Sequence, residues 1–124
     1  MPNDKKFDLE ERTAQFGESV IELSKLIHLT TITEPIVRQL IKSATSVGAN
    51  YCEADCAESR RDFEHKIGIC KKEAKESKHH LRMLVTAVPN LREEIMPRLK
   101  EANELNLIFA SIVKKSRENS TKEK

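Results

Sequence analysis

Phe63, Ile67, Cys70, Ala74, Ser77, Leu81, Leu84 and Val88 follow one another in alternating steps of four and three. That spacing lines up one face of an α-helix and holds it for about seven turns. A strand would need strict alternation instead. A helix this long with one apolar face cannot bury that face alone, so the rest of the chain must supply other helices to cover it.

The rest of the chain has the same period. Leu9, Thr13, Phe16, Val20, Leu23 and Ile27 predict a first helix from about Asp8 to Leu29. Asp8, Glu10 and Glu11 fall in its first turn, where the helix dipole favours carboxylates. The β-branched run from Thr30 to Thr33 weakens helix propensity. Pro35 suits the start of a second helix, from about Pro35 to Ala54, with Thr33 or Glu34 near its cap. The third runs from about Ser59 to Val88, opened by Ser59-Arg60-Arg61-Asp62, a capping box with Asp for Glu. Pro89 breaks it, and Asn90 can cap a fourth helix to about Lys115. Pro97 should kink that helix or set off a short first turn. Ser116 onward is polar and aperiodic, and is expected to be a flexible tail. Four helices with short connections predict an all-α, antiparallel up-down four-helix bundle: residues 1–115 as one domain, 116–124 as the tail.

Three Gly, four Pro and no Trp in 124 residues agree with an all-helical chain of one domain. Net charge is +2, too small for a general attraction to nucleic acid or membrane. MPNDKKFDLEE lacks an apolar run and no stretch suits a membrane span, so a cytoplasmic chain without membrane contact is expected. Three cysteines, Cys52, Cys56 and Cys70, read as reduced thiols filling gaps in the core. Charge is unevenly placed. Residues 59–88 carry eight basic and four acidic side chains, and residues 1–34 carry four and seven.

On the second helix Ile36, Leu40, Ala44, Val47, Tyr51 and Ala54 form the apolar spine, with Val37, Ile41, Gly48 and Cys52 to one side. Gln39, Ser43, Ser46, Asn50 and Glu53 flank it on the other. Small and polar residues beside a core let another backbone approach closely. Unpaired polar groups there would cost about 1–3 kcal/mol each, so a hydrogen-bonded contact with a helix or subunit is expected. On the third helix Glu73 and Glu76 could serve as partners. Its other flank carries Lys71, Lys75, Lys78 and Arg82.

Catalytic signals are sparse. A di-iron bundle needs two Glu-x-x-His motifs, and the chain has one, Glu76 to His79. The cysteine spacing lacks the paired short loops of zinc ribbons. There is no phosphate-cradling glycine loop and no nucleophile elbow. Neither an enzyme nor a metal or other cofactor is expected.

The blocks QLIKSATSVGANYCEA and RRDFEHKIGICKKEAKESKHHLRML resemble the S23 family, bacterial four-helix-bundle proteins encoded in intervening sequences of 23S ribosomal RNA genes. The positions that carry the resemblance are Gln39, Leu40, Ser46, Asn50 and Glu53, then Phe63, Glu73, Glu76 and Leu81. The usual Gly after the second-helix glutamate is Ala54, and an aromatic pair is replaced by His79-His80. The resemblance implies an up-down bundle that assembles as a ring-like homopentamer. A related branch, the accessory variability proteins of diversity-generating retroelements, is more basic. By that branch the resemblance implies RNA or DNA and a reverse transcriptase as partners. For most of the family it implies no established activity.

Three functions follow as expectations. The first is an oligomeric scaffold that binds nucleic-acid backbone through Arg60, Arg61, Lys71, Lys75, Lys78 and Arg82. The second is an assembly module for a protein partner, using Gln39, Ser43, Ser46, Asn50, Glu53, Glu73 and Glu76. The third, a metal-binding bundle around Glu73, Glu76, His79 and His80, is an alternative that the missing second Glu-x-x-His motif argues against.

Overall fold

The computed structural model describes residues 8–122. It contains α1 (Leu9–Lys25), α2 (Thr33–Asp55), α3 (Arg60–Ala87), a 3-10 turn at Pro89–Leu91 and α4 (Arg92–Lys122). No strand occurs among the described residues. The ends of the expected domain and tail, residues 1–7 and 123–124, lie outside them.

Local chemistry sets the boundaries. The Asp8 carboxylate accepts from the Glu11 N–H at 3.1 Å, and the Ser59 hydroxyl accepts from Asp62 N–H at 3.0 Å; each satisfies a first-turn donor. α1 stops at Lys25, short of the expected Leu29. Thr30 and Thr33 explain why. Thr30 Oγ1 accepts from Thr33 N–H at 3.1 Å, while Thr33 Oγ1 accepts from Thr30 N–H at 2.8 Å. Thr33 Oγ1 also contacts the His28 carbonyl at 2.8 Å. This reciprocal cap starts α2 at Thr33, two residues before Pro35. Asn90 does not act as a side-chain cap; it lies in the 3-10 turn.

α4 continues past Lys115 as far as Lys122, so the segment from Ser116, expected as a frayed tail, is helical to that point. The Ser116 hydroxyl donates to Glu64 on α3, tying the extra turns to a neighbour. Pro97 lies within α4.

Cross-helix pairs give the topology. On α2 and α3, Glu53 meets Lys66, Val47 meets Cys70 and Ser43 meets Ser77. On α3 and α4, Lys71 meets Asn106 and Lys78 meets Asn103. On α1 and α4, Arg12 meets Glu101 and Ser19 meets Arg98. Numbers rise on one helix as they fall on its partner, so each pair is antiparallel. The helices follow one another round a square, with α1 packed mainly on α2 and only sparsely on α4.

The core contains every member of the expected α1 line and all of the α3 line except Phe63 and Val88, which are half-buried. α2 adds Val37, Leu40, Ala44, Val47 and Ala54; α4 adds Ile95, Ala102, Leu105, Phe109 and Val113. Each large side chain buried this fully contributes about 1.5–3 kcal/mol. Tyr51 and Ile36 are half-buried rather than central; the Tyr51 ring lies 6.2 Å from that of Phe109. Gly48 sits against α1: a Cβ there would lie 3.4 Å from Thr13 Oγ1.

Candidate nucleic-acid interface

The polar line of α2 does not behave as a unit. Ser43 is buried, Ser46 and Asn50 are half-buried, and Gln39 and Glu53 are exposed. Ser77 Oγ lies 2.9 Å from Ser43 Oγ and 2.9 Å from the Glu73 carbonyl, and Ser43 Oγ lies 3.1 Å from the Leu40 carbonyl. Two hydroxyl protons serve these three contacts. One crosses between α2 and α3, and the other returns to a carbonyl of its own helix. The small side chains therefore let α2 approach α3 within one chain. Asn50 donates to its own helix at the Ser46 carbonyl, 2.8 Å away. Glu53 accepts from Lys66 Nζ at 2.7 Å. Glu73 and Glu76 are not partners for Asn50. Glu73 is half-buried, and burial first, then the neighbouring Glu76 charge, pushes its pKa up.

The basic flank of α3 faces outward beside α4. Lys71, Lys75 and Arg82 are exposed and take part in no ion pair among the described residues. Lys78 is half-buried and donates to Asn103 Oδ1 at 3.0 Å. Asn106 Nδ2 donates to the Lys71 carbonyl at 2.9 Å. These two amides hold the α3–α4 seam and leave the outer ammonium and guanidinium groups to solvent. Lys71 to Arg82 covers about 17 Å of helix. Arg60 and Arg61 are exposed at the far end of α3, away from this cluster.

A shallow depression toward α2, bordered by Lys75 of the basic edge, is lined by Gln39, Lys72, Lys75, Glu76, His79 and His80. The two imidazoles meet edge to face at 5.5 Å. Burial, then His79, lowers the His80 pKa. Among the described residues no three His, Cys, Asp or Glu side chains form a metal-binding group.

Cys70 is buried, and its thiol contacts the Val47 carbonyl at 3.6 Å; burial pushes its pKa up to about 12. Cys52 and Cys56 are exposed, contrary to their expected place in the core. α2 turns Cys52 toward an outer groove, and Cys56 follows the last helical residue.

One contact across the bundle is not visible in the sequence spacing. Arg12 grips Glu101 with two hydrogen bonds of 2.8 Å and reaches Glu104 at 3.0 Å. With Arg98 donating to the Ser19 carbonyl at 2.7 Å, it closes the α1–α4 side. The only signal was opposite charge on two helices, which does not say which cation meets which carboxylate.

No helix among the described residues is long and apolar enough to cross a membrane. No curated protein matches the chain. The crystal structure of a protein of unknown function from the S23 ribosomal protein family of Bacteroides thetaiotaomicron superposes with a TM-score of 0.73 at 30% identity. The match covers 85% of this chain and 97% of that one. A family profile described as 23S rRNA-intervening sequence protein matches residues 5–111. With that profile spanning most of the chain and the same bundle in the Bacteroides relative, this chain belongs to the 23S rRNA-intervening sequence protein family.

Proposed function

We propose that this chain is a cytoplasmic, non-catalytic, self-associating scaffold that binds the phosphate backbone of RNA or DNA along α3. The observation that carries the reading is the unpaired basic edge of Lys71, Lys75 and Arg82. Its length matches about five base steps at 3.4 Å each. No carboxylate lies on that line of α3 between Gly68 and Arg82. Three cations per copy make a weak site, and self-association repeats it; the family resemblance implies five copies in a ring. Repetition converts modest single contacts into useful avidity. Backbone contacts of this kind tolerate any sequence and weaken with salt.

Fluorescence anisotropy with a structured RNA and a DNA duplex tests the reading. Three neutralised phosphates per bound copy give a log K against log salt slope of about −2.7 per copy on duplex DNA. Replacing Lys71, Lys75 and Arg82 by Glu should abolish binding without changing molecular mass. Absence of binding at low salt removes the proposal.

A second reading rests on a different surface. Leu26, Leu29 and Ile32 are 56–67% exposed at the α1–α2 turn, beside a depression that includes Val88 and Leu91. An apolar end of this kind suits a protein partner, a reverse transcriptase being the one the resemblance implies. Co-purification of one specific protein without nucleic acid would favour it.

A further inference from the structure

Between α1 and α2 the outer surface carries a groove whose exposed lining is almost wholly carbon. Ala14, Gly17 and Ile21 line it from α1, and Gly48 and Ala49 from α2. The two backbones pass close to each other here: a Cβ on Gly17 would rest in ordinary contact with the Ala44 carbonyl oxygen and Thr45 Cα at 3.6 Å. Glu10 and Glu18 border the groove, both exposed.

The outward face of α4 has the complementary pattern. Leu107 is 59% exposed. Lys100 and Lys114, seven residues to either side, are exposed on the same face. A single exposed leucine is ordinary. A leucine between two lysines, with the nearby Glu104 carboxylate held by Arg12, on a chain that also carries an apolar groove between two glutamates, is a charge-matched pair of surfaces. The glutamates are about 12 Å apart along α1 and the lysines about 21 Å apart along α4. Flexible lysine stems can close the remaining about 4–5 Å at each end while covering apolar surface. The groove lies on the α1–α2 side and Leu107 on the outer face of α4, so one copy cannot bring them together.

We infer that Leu107 of one copy seats in the α1–α2 groove of a second copy, with Lys100 and Lys114 against Glu10 and Glu18. The inference rests on the self-association in the proposed function and names the surfaces that perform it. The two surfaces differ, so the contact is head-to-tail. It propagates round a ring or along a filament rather than closing a two-fold dimer.

Light scattering at tens of micromolar, paired with alkylation of Cys52 in a Cys56→Ser background, tests the contact. Cys52 lines the groove, so the assembly should shield it. The wild type should weigh several copies. Leu107→Glu and Ala14→Glu, both at exposed positions, should each weigh one copy with unchanged helical circular dichroism. Cys52 should react at least tenfold faster in Leu107→Glu than in the parent. Glu18→Lys and Lys114→Glu should each weaken assembly, and their combination should restore it. A multi-copy mass that survives Leu107→Glu, or equal Cys52 rates, overturns this contact alone. A wild type that is monomeric throughout overturns self-association and this contact together.

Discussion

Replacing Ser43 by leucine tests why the α2 seam is built from small side chains. Ser43 Oγ sits 2.9 Å from Ser77 Oγ with only 3% of the residue exposed. A carbon facing a hydroxyl oxygen settles at about 3.3–3.6 Å, so even one carbon in place of that oxygen is too close by about 0.4 Å. Leucine adds two methyl groups beyond it, and α2 must move off α3 or adopt strained rotamers. Overpacking of this kind costs about 1–3 kcal/mol. Better helix propensity offsets only a few tenths, and the Ser77 hydroxyl keeps the Glu73 carbonyl, so no donor is stranded. For a chain of this size each kcal/mol moves the midpoint by about 4 °C, which places the variant about 4–12 °C below wild type in thermal unfolding followed by circular dichroism. Ser43→Ala should fall within about 1 kcal/mol of wild type, since losing a modest net hydrogen bond is partly offset by the helix preference for alanine. Gln39→Leu, on the same line but exposed, should not lower the midpoint. A Ser43→Leu protein melting within a degree of wild type would refute close apposition of the two helices.

Gly68 sits inside α3 with no atom within 4 Å of a built Cβ; Gly68→Ala should therefore stabilise by about 1 kcal/mol in urea denaturation. The Glu73 pKa is raised chiefly by burial, so the fold prefers its protonated form and stability falls as pH rises through that raised pKa. Glu73→Gln should be the more stable protein at pH 7, with the gap closing near pH 4. With Cys52 and Cys56 replaced by serine, the remaining Cys70 should resist alkylation at pH 8 until the chain unfolds. Because its thiol shifts from an ordinary 9.0 to about 12, stability should also decline as pH rises from 9 toward 12.

The fold was legible where hydrophobic period and helix face coincide. Leu9 through Ile27 on α1, and Ile67 through Leu84 on α3, could be assigned to the core residue by residue because only one face of each helix is apolar. The α2 polar line was only partly legible. The five side chains spread over about 80° of helix face at about 100° per residue, with Ser43 at the edge toward α3 and Glu53 at the opposite edge. Ser43 meets α3, while Gln39 and Glu53 at the two ends turn to solvent. Cys52 was misplaced because a small residue at the edge of an apolar arc reads the same in a core or on a groove. The α3 basic edge was legible as a line of charge. That Lys78 is held by Asn103, leaving Lys71, Lys75 and Arg82 outermost, depends on how α4 is set against α3, and no local spacing encodes that. The extra turns of α4 depend likewise on Glu64 reaching Ser116 across the bundle.

The sparse α1–α4 side has a consequence for motion. Helix pairs that are neighbours in sequence close short loops and form early, whereas α1 meets α4 only across 79 to 92 residues of chain. That distant side rests on Arg12 and Arg98 more than on a broad apolar seam. Amide hydrogens of α1 should consequently exchange before those of α2 and α3, through an excursion in which α1 lifts while the other three helices hold. The same excursion would widen the cleft lined by Asp8, Arg12 and Glu101, making this edge the place where the barrel of helices breathes.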